Sequence, residues 1–157
     1  MKITLIQLGK TEDSYLIEGI DKYEKRLKHY INFNIITIPA LKNTKHFSAE
    51  EQKKKESDLI FKHLIPSDHV VLLDERGKDF SSVQFADQLN KYMNRAVQNL
   101  VFIIGGPYGF DKTVYERANE KISLSKMTFS HQMVRLFFVE QIYRAYTILK
   151  GEPYHHE

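Results

Sequence analysis

The chain contains no cysteine. A disulfide framework, a thiolate metal site and a cysteine nucleophile are therefore excluded, and a reducing compartment is the natural inference. Long hydrophobic runs are missing too. The opening from Met1 to Leu8 is apolar but broken by Lys2 and Gln7 and followed by charged residues, so it lacks the core of a signal peptide. No other window is apolar for long enough to span a bilayer. Internal repeats, low-complexity tracts and interdomain linkers are also absent, so 157 residues with 42% apolar content suggest one domain with an ordinary core. Charge of one sign is scarce: the net charge of +3 is compatible with an RNA partner without pointing to one.

Two common signatures of nucleotide chemistry are absent. The first apolar run is followed only by Gly9, where a dinucleotide-binding strand would lead into Gly-x-Gly-x-x-Gly, and no glycine-rich loop ends in Gly-Lys-Ser/Thr. A Rossmann-like nucleotide enzyme is therefore a remote reading. His131, His155 and His156 come without cysteine and without an i, i+4 histidine pair on a helix, so no metal site is expected.

What is present is a rhythm. Apolar, β-branched runs at Ile3 to Leu8, Phe33 to Ile38, Val70 to Leu73 and Leu100 to Ile104 alternate with longer amphipathic or polar stretches, which reads as β-α-β-α. The last two runs are near-continuous, as in strands buried on both faces, so a mainly parallel sheet flanked by helices is expected. Leu16, Ile20, Tyr23, Leu27 and Tyr30 recur at helical spacing and define a first helix. Ser48 with Glu51, and Ser81 with Gln84, match the capping-box pattern and mark two further helix starts. Pro39 stops the second strand before a polar loop from Ala40 to Phe47, and Pro66 is expected to end the second helix. In that helix Lys53, Lys54 and Lys55 are balanced by Glu50, Glu51 and Glu56 and read as a solvated face. The last helix is expected from about Phe129 to Leu149, ended by Gly151 and Pro153.

Three stretches can carry chemistry. Gly105-Gly106-Pro107-Tyr108-Gly109 stands where a buried strand ends, before a short helix near Asp111. Ligands bind at such strand ends in open α/β sheets. Glycines there let backbone groups approach a ligand, although an isolated tight turn has the same composition. The second stretch, Ile122 to His131, is a strand-like piece running into the last helix through small hydroxyl residues, which equally suits helix capping. The third is the tail from Gly151 to Glu157, with an aromatic and two imidazoles, where a frayed terminus is the ordinary expectation. Asp74 and Glu75, at the end of the third strand, can serve as a base or simply cap a loop. Arg135 and Arg144 can bind a ligand or form surface ion pairs.

Taken as a set, Gly9-Lys10, Tyr23 to Leu27 (YEKRL), Phe102 to Gly109 (FIIGGPYG), Leu124 to Phe129 (LSKMTF), His131 to Arg135, Glu140 to Ala145 (EQIYRA) and Gly151 to His155 (GEPYH) span nearly the whole chain. The sequence thereby resembles the bacterial large-subunit ribosomal RNA pseudouridine N3-methyltransferases, a compact branch of the SPOUT superfamily. The resemblance implies a C-terminal trefoil knot, S-adenosyl-L-methionine bound in it, and an active site completed across a homodimer interface. It assigns the cofactor to Leu73, Gly105, Leu124, Ser125, Lys126, Met127, Thr128 and Phe129, whose apolar walls and backbone groups suit a neutral adenosine. It assigns catalysis to Arg144, Tyr154 and His155, and RNA contacts to His131, Arg135 and His156. The implied reaction is transfer of a methyl group to N3 of a pseudouridine in the helix 69 loop (position 1915) of 23S rRNA, on the assembled ribosome in the cytoplasm, without membrane or metal. One departure stands out: His156, followed by Glu157, occupies the place where many relatives carry Lys or Arg, which makes a phosphate contact there weaker or pH-dependent. A binding or ribosome-assembly factor that uses the same surface without transferring methyl groups is the alternative.

Overall fold

In β1 (Lys2–Leu8) five consecutive residues from Ile3 to Gln7 are buried, which is the pattern of a strand covered on both sides. It lies between β2 (Asn32–Ile38) and β4 (Asn99–Ile104), in register from Lys2 opposite both Asn32 and Asn99. A computed structural model, describing residues 1–156, extends this trio to a five-stranded sheet. Its order is β2-β1-β4-β3-β5, with β3 (His69–Asp79) and β5 (Glu120–Ser123), and every neighbouring pair is parallel. All strands therefore end at one edge. This order, and the return of the chain after β5, are consistent with the knot that the resemblance implies.

Alternation along the strands divides the core in two. Leu100, Phe102 and Ile104 of β4 face a layer made by α1 (Ser14–Leu27), α3 (Ser82–Asn94) and α5 (Met133–Leu149), in which the rings of Phe102 and Phe138 meet edge-on at 4.7 Å. Val101 and Ile103 face the opposite layer, where Ile60 of α2 (Ala49–Phe61) and Val114 of α4 (Lys112–Arg117) cover them. Both layers exclude water from the central strands, and burial of each large apolar side chain contributes on the order of 2 kcal/mol.

Several boundaries differ from the sequence reading. Ser81 and Gln84 form the full reciprocal capping box, whereas Ser48 accepts from the Glu51 N–H at 3.1 Å without the return bond. Tyr30 lies beyond the end of α1. α2 ends at Phe61, ahead of Pro66, because its last carbonyls are taken by short-range bonds from His63 to Ile60 and Leu64 to Phe61, and Asp68 then accepts from the Ile65 N–H at 2.9 Å to fix the following turn. The loop after β2 contains a short 3₁₀ turn, Thr44–His46. α5 starts at Met133 rather than Phe129, since the Ser130 hydroxyl accepts from the Met133 N–H at 3.0 Å and holds the preceding residues out of the helix. The strand-like piece expected from Ile122 to His131 is a strand only to Ser123; the rest is irregular.

β3 runs past Leu73 because it contains a bulge. Ile122 of β5 pairs first with Leu73 and again with Lys78, so the residues between are left out of the ladder. Gly77 allows this: a Cβ there would stand 2.6 Å from the Ile122 backbone. The bulge turns Asp74, Glu75 and Arg76 toward the edge where the strands end.

Candidate active site

At that edge the glycine loop leaves β4. Gly109 donates to the Gly106 carbonyl at 3.1 Å and adopts a φ of +81°, which closes a tight turn around Pro107 and Tyr108. Gly105 passes close to the Phe110 ring, where a Cβ would approach within 3.1 Å. Facing this turn is the irregular segment after β5. Its path is set by its own hydroxyls: Ser123 Oγ donates to the Ser125 carbonyl at 2.7 Å, and the Met127 N–H donates to Ser125 Oγ at 3.0 Å. Thr128 Oγ1 donates to Glu75 Oε2 at 3.0 Å and ties the segment to the bulge of β3.

Between the two loops lies a cavity of about 640 Å³. Leu73, Gly105, Leu124, Ser125, Met127, Thr128 and Phe129 all line it, so seven of the eight residues expected to hold the cofactor are brought together; Lys126 does not line it. His131, expected on the RNA side, also borders it. Ile104 and Val134 add apolar wall, and exposed backbone of the glycine loop adds polar groups. The apolar walls and the open loop backbone suit a nucleoside, and Lys53, Asp74, Glu75 and Arg76 add charged groups of both signs to the lining. Met127, 76% exposed, overhangs its mouth.

The acidic bulge is more than a solvated loop. Asp74 accepts from the Tyr115 hydroxyl and, at 2.8 Å, from the Arg76 N–H. Burial works to raise its pKa, yet these bonds and the charges of Arg76 and Lys121 hold it below the usual carboxylate value. Tyr115 is in turn pushed up by burial and by its bond to Asp74. Asp74 and Tyr108 belong to stretches that the sequence singles out, whereas Arg76 and Tyr115 were missed: Arg76 is signalled only by its nearness to Asp74, and Tyr115, in α4, by nothing in the sequence.

Arg135 corrects one expectation. It is 1% exposed, and its guanidinium donates to the carbonyls of Leu8 at 2.8 Å, Gly9 at 2.9 Å and His131 at 3.0 Å, and to Thr11 Oγ1 at 3.1 Å. Four acceptors take four of its five N–H donors. It clamps the end of β1 to the start of α5 and offers no surface to RNA.

Arg144, Tyr154 and His155 do come together, but away from the cavity. Glu140 Oε1 accepts from Arg144 Nη2 at 2.6 Å and from the Tyr154 hydroxyl at 2.8 Å, and the Arg144 guanidinium stacks 4.7 Å from the centre of the Tyr154 ring. Arg144 Nη1 lies 3.0 Å from His155 Nδ1. Arg144 is held firmly cationic by the Glu140 bond, while its Nε is buried with no hydrogen-bond partner among the described residues. Burial, with the Tyr23 and Glu140 bonds, pushes the Tyr154 phenol well above its ordinary range. None of these three residues lines the cavity, and neither does His156. A smaller cleft of about 260 Å³ shares Ser123, Leu124 and Phe129 with the cavity and reaches Glu140 at its other side.

Among the described residues no group of three His, Asp or Glu is placed to hold a metal ion, and no helix is long and apolar enough to cross a membrane.

Comparison with known proteins points the same way. A family model described as "Predicted SPOUT methyltransferase" matches residues 1–155. Relatives named "Ribosomal RNA large subunit methyltransferase H" are similar over the full length of both chains in Parabacteroides distasonis, at 59% identity, and in Flavobacterium johnsoniae, at 56%. One of the same name from Cytophaga hutchinsonii is 57% identical over 99% of this chain and all of its own.

Proposed function

Because the chain belongs to the SPOUT methyltransferase family, we propose that it is a single-domain, cytoplasmic enzyme that methylates large-subunit ribosomal RNA with S-adenosyl-L-methionine as donor. The finer target is N3 of a pseudouridine in the helix 69 loop of 23S rRNA, in the assembled ribosome. The observation that carries this reading is the convergence of Leu73, Gly105, Leu124, Ser125, Met127, Thr128 and Phe129 on one cavity. Their chemistry fits the donor: the apolar side chains suit the adenine and the methionine stem, and the glycine loop leaves its backbone open to the adenosine's polar edge. When bound, the donor supplies an electrophilic methyl group on a sulfonium.

The chain's own residues then have three tasks. Leu124 to Phe129, pinned through Thr128 to the β3 bulge, hold the donor in one orientation, which converts binding into proximity. Arg144 stabilises negative charge on the base as its N3 proton departs, using a guanidinium that the Glu140 bond keeps cationic. His155 orients the nucleotide or takes that proton, and Tyr154 stacks on a base. The transfer balances: the N3–H proton leaves to a base, the N3 lone pair forms the new bond to carbon, and the carbon–sulfur pair stays on sulfur.

A homodimer is part of the proposal. The tail is bound to its own α1 and α5 through Tyr23 and Glu140, outside the cavity, so a second copy is needed to bring Tyr154 and His155 over the donor. Phe137, 37% exposed on α5 and packed 5.0 Å from the ring of Phe129, extends an apolar surface from the cavity mouth that such a copy would cover. His131 and His156 remain the proposed RNA contacts; Arg135 does not.

Calorimetry with S-adenosyl-L-methionine and mass spectrometry of 23S rRNA from a deletion strain test this. One site per chain and the loss of one methyl group from one pseudouridine are expected. A protein that binds RNA but no donor would be an assembly factor and would overturn the assignment.

A further inference from the structure

A second large cavity, about 630 Å³, lies on the other side of the glycine loop. Gly106, Pro107 and His131 border both cavities. Leu8 and Thr37, at the ends of β1 and β2, form its floor. The sheet reverses its winding between β1 and β4, and this second cavity stands over that switch, where open α/β sheets hold their ligands.

Its wall contains a side chain that the fold does not use. Glu56 of α2 is 8% exposed, yet its Oε1 is buried with no hydrogen-bond partner among the described residues, and Oε2 receives only Gln52 Nε2 at 3.4 Å. Gly106 makes room for it: a Cβ there would stand 2.9 Å from Oε2. Burial pushes the Glu56 carboxyl above its usual value, the mark of an acid withdrawn from water without compensation. A buried acceptor with no donor costs stability, and such costs are retained where a ligand makes use of them. Around it are apolar surfaces, Pro39, Leu41 and Leu59, that can cover the faces of a ring, and Lys10, which can meet a phosphate.

We propose that this cavity binds a second, unpaired nucleotide of the RNA substrate, whose uracil-type base lies between the apolar walls and donates a ring N–H to Glu56. The phosphate lies toward Lys10. The base is read by a single acceptor rather than by its sequence neighbours, as suits an unstacked loop nucleotide. Because the glycine loop is the common wall, occupation of this cavity braces the donor cavity from behind. The inference rests on the RNA substrate of the proposed function and names the place where part of that substrate is recognised.

The test uses uridine 5′-monophosphate as probe and amide chemical shifts of the whole protein as readout. Shifts are expected at residues 8–10, 40–44 and 52–59, with at least tenfold weaker binding of 3-methyluridine 5′-monophosphate, which has no ring N–H. Glu56→Gln should weaken the probe several-fold and Glu56→Met should abolish its binding, while both keep the calorimetric affinity for S-adenosyl-L-methionine and melt no lower than the parent. A purely structural glutamate would instead lose stability on substitution. Equal binding of the two nucleotides, or of uridine 5′-monophosphate to parent and Glu56→Met, overturns the inference even if the donor binds. Failure of donor binding in the parent overturns the function and leaves the nucleotide readout to be judged by itself.

Discussion

The two ends of the sheet are built to opposite rules. Where the strands begin, polar groups are saturated: Glu120 accepts from the Tyr92 hydroxyl, from Gln88 at 3.4 Å, and meets His69 at 2.6 Å, while Arg117 donates to the carbonyls of Ile65 and Asp68 at 3.0 Å each. Where the strands end, Glu56 Oε1 and Gln7 Oε1 are buried without hydrogen-bond partners among the described residues, and two cavities open on either side of a glycine turn. The closed end stores stability; the open end leaves hydrogen-bonding capacity to ligands. The contrast teaches where a substitution should be felt as melting and where as lost chemistry.

The largest effect is expected at the tail, outside both ends: Arg144→Ala should lower the rate of methyl transfer by roughly 100-fold or more, as loss of a charge-stabilising donor does, with donor affinity kept; a single-turnover assay reads it. Next in size, Glu120→Ala at the closed end strips Tyr92 and His69 of their acceptor and should cost about 2 kcal/mol in denaturant unfolding. Its single-turnover rate below the transition should match the parent, and a loss of activity there would break the division between ends. Thr128→Val removes the tie to Glu75 and should weaken donor binding by roughly fivefold, about 1 kcal/mol, without moving the melting temperature appreciably. The smallest effect is expected from pH. Because the folded state raises the Glu56 pKa, its favourable contribution is present below the unfolded value and is lost as pH rises through the folded one. Glu56→Gln should therefore flatten that part of the stability profile and stabilise the protein slightly above it; a fall in melting temperature at neutral pH would show that the carboxylate has a structural partner.

Much of the fold was legible because it rests on periodicity. Four strands and the helices between them announce themselves by apolar runs and caps, and a parallel sheet follows from runs buried on both faces. β5 was legible only at its end, Ile122 and Ser123, since Glu120 and Lys121 carry too little pattern, and its pairing depends on a bulge that only the tertiary approach of Gly77 reveals. Charged residues were misjudged for a related reason. Arg135 looks like an RNA contact until the β1 loop, more than a hundred positions earlier, is found to surround it with carbonyls. Glu56 hides in a run of lysines and glutamates that reads as a solvated face, and is in fact folded under the glycine turn. The residues proposed to hold the donor were chosen by motif resemblance, while Arg76 and Tyr115 meet seven of them only in space, around one cavity.

The central position of β1 has a consequence for how the molecule is made. Its first hydrogen-bonded neighbour, β2, arrives early in synthesis, but the other, β4, begins only at Asn99, so one flank of the strand stays unpaired until well over half of the polypeptide has been translated. Closing so long a segment is entropically slow. Until then the exposed flank of β1 is a site for mispairing, and the nascent chain should depend on whatever shelters it at the tunnel exit.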